Sequence, residues 1–184
     1  FHINYDLAEL YRRVLPPPEE SFAMIPSRVI IDTDRPELVM YRKDYGPRED
    51  WMRANGCAYE AILADSLPMT EKRKQMAEQL GVFTGIGGKW ERRETNCLVV
   101  RRLPGEVPYD ERGEGRALRI KDVRFVLDFK GIYPPVVDET GYGGHLYLPG
   151  WENLEELNTL LNRQGFEIVE DMREVDVLVL TADR

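Results

Sequence analysis

The sequence predicts an α+β fold, with short helices packed on an antiparallel sheet built from repeated helix-plus-hairpin units. Three observations carry that expectation. Amphipathic stretches at helical spacing end at glycines; each stop is followed by a pair of short apolar runs; and the last such unit matches an earlier one in register. An all-parallel doubly wound sheet would instead alternate single strands with helices.

The final unit is the clearest. Asn153 stands as an N-cap, and Glu155 and Glu156 occupy a first turn where the helix dipole favours carboxylates. Leu154, Leu157, Leu160 and Leu161 make one apolar face, and Gly165 supplies a left-handed stop. Phe166, Ile168 and Val169 read as a strand, residues 171–173 as a turn, and residues 175–180 as a return strand covered on both faces.

An earlier segment has the same grammar. Residues 59–63 are strand-like, Pro68 breaks the chain, and Thr70 caps a helix that carries Met76, Ala77 and Leu80 and ends at Gly81. Residues 82–92 then lead to a return strand over 97–101, with a bulge or wider loop at Gly85, Gly87 and Gly88. Residues 93–100 align with residues 173–180, which marks an internal repeat.

Two further units are weaker. Asp122 caps a helix over 123–130, Gly131 stops it, and residues 135–137 pair with 145–148. At the N-terminus, Leu7, Leu10, Tyr11 and Val14 form a helical stripe ended by Pro16, Pro17 and Pro18. Residues 28–31 and 38–42 then form a hairpin around Asp34, Arg35 and Pro36. Residues 104–115, rich in Pro, Gly and charge, read as a linker between an N-terminal half (1–103) and a C-terminal half (116–184).

Composition narrows the function. With 184 residues, 42% of them apolar, the chain has material for one generous domain or two small ones. A formal net charge of −8 argues against nucleic acid as a partner. No apolar run approaches the roughly 20 residues of a membrane span. The chain opens at Phe1 rather than Met, so an upstream segment is expected to have been removed.

Several stretches carry a resemblance. Trp51 is followed by Tyr59-Glu60-Ala61-Ile62-Leu63-Ala64, and Pro68 by the helix through Met76 and Leu80. Glu91-Arg92-Arg93-Glu94 leads into the apolar return strand, Pro135-Val136-Val137 runs into Asp138-Glu139-Thr140-Gly141, and the final helix and strands follow. In this order the motifs resemble a bacterial extracytoplasmic domain family of unknown function, found alone or attached to thioredoxin-like disulfide reductases or antibiotic-sensing transmembrane peptidases. The resemblance implies export to the periplasm or cell surface, and a thioredoxin-like or sensor domain as neighbour. Lys89 stands where that family often has a histidine, and residues 81–83 replace its usual Arg-Phe pair.

Candidate chemistry is sparse. Asp138, Glu139 and His145 lie in one short stretch and would suit a carboxylate-based hydrolase with histidine as proton shuttle. Adjacent residues of an extended chain point in opposite directions, so the competing reading is a turn, with Asp138 accepting backbone bonds and Gly141 at positive φ. His2, His145, Cys57 and Cys97 lack metal-site spacing, and no cofactor is implied. Ser21, Ser27 and Ser66 lack a nucleophile motif, and the Gly85-Ile86-Gly87-Gly88 run lacks the Lys-Ser/Thr of a phosphate loop. Export, implied by the resemblance, makes Cys57 and Cys97 candidates for a disulfide; the alternative is two buried thiols, since Cys97 lies in a core-like run.

Aromatic residues near turns are the remaining material. Trp51, Tyr142 and Trp151, with Asp138 and Glu139, form the candidate binding set, and Tyr41, Tyr45 and Trp90 lie in similar positions. The expected function is a non-catalytic extracytoplasmic binding or interaction module for a protein or small-molecule ligand. The hydrolase is the alternative.

Overall fold

Residues 2–15, 18, 26–105 and 115–182 are described in a computed structural model of the chain. Its elements are β1 (His2–Tyr5), α1 (Leu7–Val14), β2 (Val29–Asp32), α2 (Arg48–Asn55), β3 (Cys57–Tyr59), α3 (Met69–Thr84) and β4 (Ile86–Arg102). They continue with β5 (Arg116–Leu118), α4 (Ile120–Lys130), β6 (Val136–Asp138), β7 (Leu146–Leu148), α5 (Leu154–Asn162) and β8 (Phe166–Ala182). The class is α+β. Strands β2, β8, β4 and β6 are hydrogen-bonded in that order, while β1 with β3 and β5 with β7 make two-stranded antiparallel sheets.

Local chemistry accounts for the helix ends. Asp6 caps α1 by accepting the Glu9 N–H at 2.7 Å, and Asn153 caps α5 by accepting the Glu156 N–H at 2.9 Å. In α4 the Asp122 carboxylate reaches back to the Arg119 N–H at 2.8 Å, so it acts from inside the first turn rather than as the cap. Gly131 ends α4 at φ 65°, a left-handed conformation that costs glycine nothing.

The expected hairpins are not formed. Residues 171–173 do not turn: β8 runs unbroken for 17 residues, as does β4. The polar dip at Glu170, Asp171 and Met172 is solvent-exposed strand surface, and it lacks the glycine or Asn-Gly pair that a tight turn needs. Helix α3 also runs past Gly81 to Thr84 and ends at Gly85, φ 68°. Thr70 lies inside that helix, and the strand expected over 59–63 is the earlier and shorter β3.

Pairing differs as well. β2 does not turn back on residues 38–42 but lies parallel to β8, with Val29 opposite Leu178. β6 lies parallel to β4, with Leu98 opposite Val136, while β7 takes β5 as its partner. The four-stranded sheet is therefore mixed. Between β4 and β8 the cross-links run antiparallel: Arg101 meets Glu167 at 2.8 Å, and the Leu103 N–H donates to Gly165 at 2.9 Å.

The chain divides into two units whose borders fall inside the long strands. One comprises residues 1–92 and 176–184, the other residues 93–175. Of the expected 104–115 linker, residues 106–114 lie outside the described residues, as do Pro16, Pro17 and Ser21. The first unit packs α1, α3 and β8 around Leu10, Tyr11, Leu80, Leu178 and Leu180. The second buries Leu98, Val123, Leu127, Val136, Leu157 and Leu161 between β4, β6, α4 and α5. Within the second, the fully buried Asp128 accepts the Val136 N–H at 2.9 Å and has Arg124 at 3.6 Å, which joins α4 to β6.

Candidate functional site

The first unit carries an apolar concavity. α3 runs on through Val82 and Phe83, which are not themselves strong helix formers, before Gly85 stops it, and this puts two large apolar side chains on the helix end with no core to enter. Val82 is 89% and Phe83 93% exposed. They form one rim of a groove of about 780 Å³. Gln75, Glu78 and Gln79 extend that wall along α3, and residues 57–60, from β3 onward, make the other. Leu10, Leu80 and Thr84 complete the lining.

The groove has little titrating chemistry. Tyr59 spans toward α3 and donates its hydroxyl to Gln79 Oε1 at 2.9 Å, and burial raises its pKa. Cys57 is half-buried; burial raises its thiol pKa, and the Asp6 carboxylate adds to the effect. Cys57 and Thr84 also line a second cavity of about 420 Å³, formed with Thr33, Asp34, Arg35 and Leu38. Among the described residues, Glu60 and Glu78 are the charged ones lining the larger groove.

The sequence-predicted residues go elsewhere. Trp51 is buried, 6% exposed, with its indole N–H donated to the Glu37 carbonyl at 2.8 Å and its ring edge-on to Tyr41. In the second unit, Tyr142 packs against Phe166 with centroids 5.1 Å apart, and Trp151 packs on the core. Both side chains are half-buried. These three aromatics are packing residues rather than an exposed binding set. Cys57 and Cys97 are separate thiols rather than a disulfide, and Cys97 is fully buried.

The Asp138–Gly141 stretch is a side-chain-braced turn. Asp138 Oδ1 accepts both the Thr140 N–H at 2.9 Å and the Thr140 hydroxyl at 2.6 Å. The buried Thr140 Oγ1 accepts the Tyr142 N–H at 3.0 Å, and Gly141 takes φ 59°. Glu139 turns to a different partner, the Arg173 guanidinium, which holds it below the usual carboxylate range. The two carboxylates are thus committed in different directions, and His145 is solvent-exposed. Among the described residues no group of three or more His, Cys, Asp or Glu side chains is arranged to hold a metal ion, and no helix is long and apolar enough to cross a membrane.

Sequence reasoning missed Val82 and Phe83 because it ended the helix at Gly81 and assigned them to a strand. The missed signal is Gly85, which lies 80 residues before Gly165 in the same alignment that sets residues 93–100 over 173–180. No family model matches this chain, and no curated protein or solved structure is similar to it.

Proposed function

We propose that this chain is a non-catalytic binding module whose ligand site is the apolar groove between α3 and residues 57–60. The observation that carries the reading is the rim: Val82 and Phe83 are almost wholly exposed beside a concavity of about 780 Å³. Large apolar side chains left in water next to a concave surface are a regular mark of ligand or partner sites. The resemblance to an extracytoplasmic family supports a location in the periplasm or at the cell surface, in the service of a thioredoxin-like or sensor domain.

A neutral apolar dye such as Nile red tests the site directly. We expect saturable fluorescence enhancement with the intact chain, and its loss in both Val82→Ser and Phe83→Ser. Because these side chains are exposed, the variants should fold as the parent does. Dye binding that both substitutions leave unchanged would overturn the assignment.

A further inference from the structure

We infer that the groove takes an extended peptide by strand addition along β3, and that the preferred peptide carries apolar residues at alternate positions with cationic ends. This rests on the binding-module reading and names its partner. The first argument is the strand edge. β3 belongs to a two-stranded sheet and pairs only with β1 among the described residues, so its second edge has main-chain groups without a strand partner.

The second argument is where the groove runs. Successive side chains of a strand point to opposite faces. Yet Cys57 and Tyr59, which pack on the core, and Ala58, which is exposed, all line the groove together with Glu60. A cavity that touches consecutive residues follows the edge of the strand rather than one face. The three residues of β3 present about 10 Å of edge, opposite the apolar end of α3. An incoming strand would pair its main chain with that edge and set alternate side chains against Val82 and Phe83.

The third argument is charge. Glu60 and Glu78 are the charged residues of the lining, and no Lys or Arg accompanies them among the described residues. Glu60 has no ion pair among the described residues, and Glu78 is 63% exposed with Lys74 only at 3.9 Å. Such a rim attracts a cationic peptide and repels an anionic one or an anionic bilayer surface. A small apolar molecule would leave the strand edge unused.

The full chain should be titrated, by fluorescence anisotropy, into blocked heptapeptides of alternating Val and Thr with Lys at both ends. We expect saturable binding, weakened about tenfold by backbone N-methylation at every second position only, the loss of one main-chain hydrogen bond. Replacing the terminal Lys residues by Glu should weaken it by a similar factor, as should Phe83→Ser. Three results would each overturn strand addition: no peptide binding, N-methyl losses without alternation, or a dimer in sedimentation that masks the edge with a second copy. If Nile red still binds while the peptides fail, only strand addition falls. If neither binds, the groove assignment falls with it.

Discussion

Glu139 and Arg173 form a two-pronged ion pair, Nε to Oε1 at 2.5 Å and Nη2 to Oε2 at 3.0 Å, which fastens the Asp138–Gly141 turn to the middle of β8. Asp171 takes the third side of the same guanidinium at 2.6 Å. Arg173 holds both carboxyls below their ordinary range, and the two acids in turn raise its own pKa. A depressed carboxyl stabilises the fold above its unfolded pKa and loses that contribution as pH falls through its folded value. The difference in urea midpoint between the parent and Glu139→Gln should therefore be present above about pH 5 and close up as the pH falls below about 4. A difference that widens in acid would contradict the pairing.

The turn itself should register as stability. Thr140→Val keeps the shape but removes the hydroxyl that donates to Asp138 and accepts from Tyr142. It should cost about 1–2 kcal/mol in urea unfolding, with Nile red binding in the other unit unchanged. Measured alongside Asp138→Asn and His145→Ala, this also tests the hydrolase alternative. Loss of a turnover with the fold intact would favour an enzyme; loss of stability alone favours the brace.

Gly88 is fixed by Tyr11. A Cβ at that position would stand 2.5 Å from a ring carbon of this fully buried tyrosine, whose hydroxyl donates to the Ile86 carbonyl beside it. Gly88→Ala should destabilise the chain by about 1–3 kcal/mol on thermal or urea unfolding. Tyr11→Leu in the Gly88→Ala background should cost less than the two single changes summed, because the clash disappears with the ring.

Thiol chemistry gives a direct probe of the groove. Cys97 is fully buried and Cys57 half-buried, so a maleimide should label Cys57 first. Burial and Asp6 raise the Cys57 pKa, which leaves less thiolate at neutral pH than a free cysteine has. Labelling should be slow near pH 7 and accelerate above about pH 9. Asp6→Asn should move that acceleration to lower pH. Insensitivity to Asp6 would remove the carboxylate from the account.

Much of the local structure was legible. Asn153 and Gly131 behave as capping rules require, and the apolar run at 175–180 is a central strand flanked by β2 and β4. Strand partners were not legible, because β2 pairs with β8 across nearly 150 residues of chain, and apolar alternation says nothing about which strand lies alongside. The charges within 171–173 break the apolar pattern and so predict a turn; on an exposed strand face they pair laterally instead, as Arg173 does with Glu139. The groove stayed hidden for a narrower reason. Gly81 is a tolerated glycine inside α3, beside the Tyr11 hydroxyl, while the residue that ends the helix is Gly85.

The discontinuous first unit bears on the order in which the chain becomes native during synthesis. Residues 93–175 form a contiguous stretch, so the second unit has all its parts once they leave the ribosome. The first unit must wait, although most of it emerges earlier: β2 has no parallel partner until Leu178 to Thr181 arrive, and Leu178 and Leu180 belong to its core. A nascent N-terminal segment holding an unpaired β2 and an unfilled core is thus carried until residues 178–181 have been made. A premature stop shortly before Asp176 would damage the opposite end of the sequence.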